Sequence, residues 1–508
     1  MRLQCTRVMT LPRLAWCARV TAGASVVEVL HGDWVETWPH AFCEGAWDGP
    51  FEVGDFAAAA TFMGSGGRVT PEGLLLAAPT HVMARLYTIE TGGRLLASNS
   101  LVFLLAQTGD ALDLDHSRYY FDFLRHKRRG LTRPTAFIVT AGGRCLHCHH
   151  HTNLLVRPDL SWSTQPKPPG PAPGDFESYR DLLQTGVART VQNAAHPGRR
   201  QRYRPLATLS QGYDAPAVAT LVARAGATEA LVCRLPARPG EPEEDGSLLV
   251  KPLGLTPIPF DGLAFRARAD APEAEFCAGM AYGNNVPLSV VERELTGALL
   301  CTGHPGDDIW ATDPRMNLPD LQVPTDRRLE GSALAEYRLR VGFVWFPVPW
   351  IGAQHKSAIF RITSSAEMRP WSIAGRYNRP IPRRIAEEAG VARALFGHVK
   401  MATFHCNLDR PDAMSEGGRT DFEAFYQSRV RVREDRHVAL LRAGASVDAV
   451  LLRALGRLPH RLYVASLPLT RWAMRDLRHP HWWSAYLYTF HWGCERVRSR
   501  YTPAFPSS

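Results

Sequence analysis

No uninterrupted apolar run in this sequence reaches the roughly 18 residues that a bilayer-spanning helix requires, so no membrane span is expected. The first thirty residues break their apolar positions with Arg2, Arg7, Arg13 and Arg19, and so lack the compact apolar stretch of a secretory signal. Cysteine is sparse: ten residues over 508, scattered rather than gathered into a short framework, read as free thiols and not as bridges. A cytoplasmic location is the expectation that follows. Charge of one sign is not concentrated either. The net charge of +10 is carried mostly by arginine without forming the basic block of a nucleic-acid arm. No nucleic-acid partner is expected, and the diffuse excess suits an anionic ligand such as a nucleotide. No internal repeat is visible.

What is present is an ordinary globular composition, 45% hydrophobic and 21% charged, in a chain long enough for two or three domains. The segment 164–175, TQPKPPGPAPGD, holds five prolines and two glycines in twelve residues, which forbids a helix or a central strand and predicts an extended connector. Before it, residues 1–163 carry short β-type runs broken by glycine (VVEVL, RLLAS, AFIVT, RCLHCHHHTNLLV), the pattern of an antiparallel, sheet-rich domain. After it, residues 176–508 alternate helical periodicity with short apolar strands, the pattern of an α/β domain. FESYRDLLQTGVARTVQNA predicts a helix with Asp175 as its cap. PLATLS, QGYDAP, AVATLVARAG and ALVCRL then read as strand, turn, helix and strand.

The turn Ser210-Gln211-Gly212-Tyr213-Asp214-Ala215 carries the chemistry. Glycine lets backbone N–H groups approach an oxyanion, the following helix presents its positive end, and the Ser210 hydroxyl can donate to a phosphate. Asp214 at the helix mouth would repel phosphate unless Mg²⁺ lies between them. A bland alternative is a strand-to-helix turn capped by Asp214. Downstream, Leu299-Leu300-Cys301-Thr302 again delivers glycines and carboxylates to the end of a strand, in Gly303-His304-Pro305-Gly306-Asp307-Asp308. Asp307 supplies a second carboxylate for the same metal. RPIPRRIAEEAGVARALFGHVK reads as a basic, solvated helix ending in Lys400, placed to stabilise charge on departing pyrophosphate.

These elements, in this order over residues 176 to about 405, resemble the ATP-pyrophosphatase domain of the asparagine-synthase family. The family's Ser-Gly-Gly-x-Asp-Ser is matched by Ser210 to Ala215, and its Gly-x-Gly-x-Asp-Glu by Gly303 to Asp308. Its Glu-x-Arg is matched by Glu336-Tyr337-Arg338 and its late lysine by Lys400. The resemblance implies an α/β with α+β protein: a degenerate Ntn-like, glutaminase-like sandwich, then a Rossmann-like ATP-pyrophosphatase domain of the adenine nucleotide alpha hydrolase type. It implies an AMP-forming carbon–nitrogen ligase that takes ATP and Mg²⁺. Leu209, Ser210, Gly212, Tyr213, Asp214 and Ala215, with Gly303 and Gly306, would contact the nucleotide. Asp214 and Asp307 would share the metal, Lys400 would act on pyrophosphate, and Glu336 and Arg338 would orient the acceptor. The substrate would be a small-molecule or peptide carboxylate and the nucleophile ammonia or a substrate amine, as in peptide macrolactam cyclases and enzymes that amidate sugar acids.

Gln211 and Ala215 replace a glycine and a serine of the signature, and favour a second reading: a non-catalytic homologue that binds nucleotide or a partner protein. His304 and Asp308 argue against asparagine as the product. SNSLVFLLAQTG, residues 98–109, resembles the segment that ends the first half of a glutaminase domain, but Cys5 does not stand beside the initiator Met as the family's nucleophile does, so no glutaminase is expected. Two further clusters have structural readings. Cys145, His147, His149 and His151 would share one face of a strand, but neighbours roughly 6.5–7 Å apart cannot surround a metal ion without distant partners, which leaves a half-exposed strand. Trp482, Trp483, Tyr486, Tyr488, Phe490 and Trp492 read as a C-terminal helix docking aromatics into the core, or as an acceptor pocket.

Overall fold

Thirteen strands among the described residues up to Pro166 stack as two sheets. The computed structural model describes all residues except 118, 129, 235–245, 280–282, 323–330, 376, 398–405, 407, 409–412, 431–484, 503 and 506–508. The first sheet takes β1 (Arg2–Arg7), β2 (Trp16–Thr21), β3 (Val26–His31), β8 (Leu86–Thr91), β9 (Arg94–Ser98), β10 (Thr135–Val139) and β11 (Cys145–His149), in the order β1-β3-β2-β9-β8-β11-β10. The second takes β4 (Glu36–Trp38), β5 (Ala41–Trp47), β6 (Phe62–Thr70), β7 (Gly73–Ala77), β12 (Thr152–Val156) and β13 (Trp162–Pro166), in the order β13-β12-β7-β6-β5-β4. All pairs are antiparallel except β1 with β3. Alternation along the strands sends Trp16, Val27, Val29, Phe42, Leu74, Leu76, Leu95 and Leu154 into the space between the sheets.

The predicted connector is therefore a strand for its first residues, because β13 pairs with β12 as far as Pro166. Proline is tolerated there because β13 is an edge strand. Beyond it, Asp175 caps the helix Phe176–Ala194 through a reciprocal capping box: its side chain accepts from the Ser178 amide, and the Ser178 hydroxyl accepts from the Asp175 amide.

The rest of the chain is built on a five-stranded, wholly parallel sheet: β14 (Arg204–Leu209), β15 (Glu229–Arg234), β16 (Thr256–Asp261), β17 (Ala298–Thr302) and β18 (Val344–Pro347), in the order β16-β15-β14-β17-β18. Ala207, Leu231, Val232, Leu300 and Phe346 are fully buried, as expected for a sheet covered on both faces. The mixed α/β architecture read from the sequence is thus present, with antiparallel sheets first and a parallel sheet after.

One apolar core runs through both halves, and two buried polar clusters join them. Arg338 meets Glu44 of β5 bidentately, at 2.7 and 2.9 Å. Glu336 accepts from the Ser100 hydroxyl at 2.7 Å and from the Tyr501 hydroxyl at 2.6 Å. The C-terminal helix Thr489–Val497 buries Phe490 and Trp492 and crosses the helix Glu273–Ala278 at Gly493, where a Cβ would stand 2.5 Å from the Ala278 nitrogen. Tyr486 and Tyr488 are buried too, so these four aromatics belong to the core; Trp482 and Trp483 lie outside the described residues.

Candidate functional site

From β14 the chain steps outward to β15 and β16, then returns to lay β17 and β18 on the other side. The direction of winding reverses between β14 and β17, parallel neighbours that pair Leu206 with Leu300 and Ala207 with Cys301. A crevice opens outside the carboxyl ends of strands at such a reversal, and open α/β sheets bind ligands there. Both glycine-bearing turns leave the sheet at this point, one after Leu209 and one after Thr302.

The two turns touch. A Cβ on Gly306 would stand 2.4 Å from the Asp214 Cγ and 2.7 Å from its Oδ1. One on Gly303 would stand 2.7 Å from the Asp214 carbonyl carbon and 2.9 Å from the Ala215 nitrogen. Glycine is required at both positions because the second turn wraps the first residue of the helix Asp214–Arg224, and the Gly306 amide closes that turn on the Gly303 carbonyl at 2.7 Å. Tyr377 reports on the same place. Its hydroxyl stands 3.3 Å from where a Cβ on Gly212 would lie. Its phenol is pushed up by burial, then by the charges of Asp214 and Asp307, so both carboxylates act on one side chain. The helix itself has Tyr213 at its N-cap, whose side chain makes no cap hydrogen bond.

A packed aromatic layer holds the first turn. Tyr213 is buried, its ring 4.7 Å from that of Tyr377 and 6.1 Å from that of Phe396. Arg383 lies 4.9 Å over the Tyr213 ring and donates to its hydroxyl. The Gly397 amide donates to the Gln211 carbonyl at 2.7 Å, and its φ of 78° lets the chain pass directly against the Tyr213 ring. The expected long, solvated helix is corrected here. It spans only Pro380–Glu388 and ends at Ala389-Gly390, where Gly390 takes a φ of 92°. Arg383 is buried, and Arg384 stacks 3.9 Å from the Phe176 ring and 4.3 Å from that of Trp371. Lys400, expected at the end of that helix, lies outside the described residues.

No protein-family model matches this chain, and no curated protein matches it.

The eight residues expected around a nucleotide, Leu209, Ser210, Gly212, Tyr213, Asp214, Ala215, Gly303 and Gly306, come together with Asp307 at the switch point. Glu336 and Arg338 do not join them through any described contact. Both are buried between the halves, engaged with Ser100, Tyr501 and Glu44 as described above, which accounts for their burial without an acceptor. Burial pushes the Glu336 carboxyl up to about 7, against the opposing effect of its two hydroxyl donors.

Two cations at the site escaped the sequence reading. Arg379 directs Nη2 to the Asp307 carboxylate at 3.5 Å and to its carbonyl at 3.3 Å. Lys356, fully buried, donates to the Asp308 and Ile309 carbonyls at 3.0 and 2.7 Å and so ties down the short helix Gly306–Ile309. Burial first, and Arg379 in addition, draw its amine down to about 8. Neither residue sits in a recognisable pattern. Arg379 precedes a helix that opens with proline, and Lys356 begins an amphipathic one.

The remaining candidates are structural. The rings of His147 and His149 pack on Trp162 at 5.3 and 5.6 Å, and His149 spends both nitrogens on Thr88 and Thr135. His151 turns away at a φ of 48° and bonds the Thr80 carbonyl. Among the described residues no group of three or more His, Cys, Asp or Glu could hold a metal ion. Cys5 sits on β1, an edge strand, and burial pushes its thiol up to about 11, away from the thiolate that a nucleophile requires. No described helix is long and apolar enough to cross a membrane.

Proposed function

We propose that this chain activates a carboxylate with ATP and passes the acyl group to an amine, releasing AMP and pyrophosphate. The observation that carries the reading is the enclosure of Asp214 by Gly303 and Gly306, which joins two phosphate-type turns and two carboxylates at the switch point of the parallel sheet. The donor set fits a metal-bound triphosphate: a hydroxyl on Ser210, the mouth of an eleven-residue helix, and the carboxylates of Asp214 and Asp307. Gln211 does not distort the turn, since among the described residues positive φ outside glycine occurs only at His151, Leu160, Ala271 and Leu321.

In this reading Ser210, Gly212 and the first-turn amides hold phosphate oxygens, while Asp214 and Asp307 would hold Mg²⁺, whose charge offsets that of the phosphates. The acid's carboxylate attacks the α-phosphorus, an acyl–phosphate bond forms, and pyrophosphate leaves with its bonding electrons. Arg379, beside Asp307, is placed to meet negative charge there. The amine then attacks the acyl carbon, sheds a proton and displaces AMP. Lys400 is carried into the site by the resemblance alone, and Glu336 and Arg338 are given a bracing role between the halves. A peptide carboxylate or a sugar acid is the substrate class, with ammonia or a substrate amine as nucleophile.

The test is formation of AMP and pyrophosphate from ATP, Mg²⁺ and a panel of carboxylated peptides and sugar acids. The chain should turn over at least one member, and Asp214→Asn should abolish both turnover and Mg²⁺-dependent ATP binding while leaving the fold intact. Wild-type ATP affinity in Asp214→Asn would remove the site assignment. Tyr377 over Gly212 and the missing hydroxyl at Ala215 favour a second reading, a nucleotide-binding homologue without turnover. Tight ATP binding with no AMP from any acid would select it.

A further inference from the structure

In the turn 210–215 only Ser210 and Tyr213 carry hydroxyls, and that of Tyr213 is spent elsewhere, between Arg383 and the Tyr377 carbonyl. A further hydroxyl reaches the turn from outside it. Tyr377 lies between the short helix Ala366–Trp371 and the helix Pro380–Glu388, and its ring is held from two directions. The Tyr213 ring packs 4.7 Å away, and the Arg379 guanidinium lies 5.9 Å over it. The backbone is fixed as well. The Tyr213 hydroxyl donates to the Tyr377 carbonyl at 3.4 Å, and the Thr312 hydroxyl to the Asn378 carbonyl at 3.2 Å. The Asn378 side chain in turn accepts from the Ile373 amide at 3.2 Å, which closes the segment into a loop.

This scaffold puts the Tyr377 hydroxyl among the groups assigned to the triphosphate. A Cβ on Gly212 would stand 3.3 Å from it and 3.7 Å from the Ser210 Oγ, so the two hydroxyls approach one point at the turn. Tyr377 is half-buried, not sealed in. Burial and the charges of Asp214 and Asp307 hold the proton on its phenol, against a backbone hydrogen bond from Tyr213. No described residue accepts that proton.

We infer that Tyr377 is a nucleotide-binding residue whose hydroxyl donates to a phosphate oxygen of ATP, alongside Ser210. The inference rests on the nucleotide site proposed above and holds with or without turnover. Ionised phosphate oxygens accept hydrogen bonds, so a phenol that keeps its proton suits them as a donor. Hydrogen bonds to an ionised acceptor are short and roughly twice as strong as neutral ones. Such a donor also offsets the hydroxyl that Ala215 lacks. The phosphate then lies beside the phenol. A ring that merely filled the phosphate's place would have the opposite effect on affinity.

Calorimetric titration of the full chain with ATP and with inorganic pyrophosphate, each with Mg²⁺, tests this. Tyr377→Phe deletes the hydroxyl and keeps the ring on Tyr213. It should weaken both ligands by about tenfold or more, the scale of a hydrogen bond to a charged group, with an unchanged midpoint in urea. Wild-type affinity in Tyr377→Phe would overturn the assignment, and tighter binding would make Tyr377 a plug over the turn. A lowered midpoint accompanying lowered affinity would assign the hydroxyl to the fold instead. If the wild type binds neither ligand, the nucleotide site fails and this inference with it. If Asp214→Asn abolishes binding while Tyr377→Phe retains it in full, only the role of Tyr377 falls.

Discussion

Glu336→Gln separates a carboxylate that braces two halves of a protein from one that orients a substrate. The Glu336 carboxyl is fully buried, and burial raises it from an ordinary 4.5 to about 7. A carboxyl raised by folding holds its proton longer in the native state than in the unfolded chain. The unfolded chain therefore ionises first as pH rises. The contribution to stability is fully present below pH 4.5, declines as pH climbs, and is lost once pH passes about 7. At about 1.4 kcal/mol per pH unit, that interval is worth about 3–4 kcal/mol. The amide of the Glu336→Gln variant would keep one acceptor toward Ser100 or Tyr501 but cannot titrate. Urea denaturation followed by tryptophan fluorescence at pH 5, 6, 7 and 8 should show the wild type losing about 2–3 kcal/mol more than the variant across that range. Parallel losses in the two proteins would refute the reasoning and return Glu336 to the substrate-facing groups.

Gly306→Ala drives a methyl to within 2.4 Å of the Asp214 Cγ, so it should cut Mg·ATP affinity by tenfold or more in a binding titration while costing only about 1–3 kcal/mol in denaturation, the scale of local overpacking. Arg383→Met removes the cation stacked on Tyr213; it should lower stability by several kcal/mol, as loss of a buried hydrogen-bonded charge does, and reduce nucleotide affinity, measured by thermal shift with and without ATP. An unchanged ATP-dependent shift would detach the aromatic layer from the site. Asp175→Ala deletes the capping box of a nineteen-residue helix and should cost about 1 kcal/mol in urea without touching nucleotide binding.

Local signals carried far in this sequence. The helix at Phe176–Ala194 starts where Asp175 supplies a cap, and PLATLS, ALVCRL and LLCT became β14, β15 and β17, because each is a short buried run bounded by turn residues. The glycines at 303 and 306 were legible as turn residues. Their reason, the close approach of Asp214, was not, since it depends on a contact between segments some ninety residues apart. The charge pattern of RPIPRRIAEEAGVAR misled because arginine can be covered by aromatic faces as readily as by water, and nothing local tells which. Glu336-Tyr337-Arg338 misled for a related reason: a motif of two charges names no partner, and here Ser100, Tyr501 and Glu44 are supplied from distant parts of the chain. Lys356 had no local signal, and Arg379 showed only as one more charge at the start of that basic segment.

The departures from the signature weigh unequally once the turn is seen in three dimensions. Gln211 was suspect because a Cβ is unwelcome where backbone bends to the left, yet the residue keeps an ordinary φ and its carbonyl accepts from Gly397. The bend that glycine would have supplied is not demanded at this position, whereas at Gly212 a Cβ would stand a tight 3.3 Å from the Tyr377 hydroxyl. Ala215 is the more consequential change, because it removes a donor next to the helix mouth that no neighbour replaces within the turn, a loss of about 1–3 kcal/mol if that donor met a buried phosphate. Such a loss weakens ATP binding by roughly 5- to 150-fold at most and leaves Ser210, the helix mouth and both carboxylates in place. Binding should therefore survive in either reading of the function. The two readings part only at turnover, which makes product formation, and not nucleotide affinity, the measurement that chooses between them.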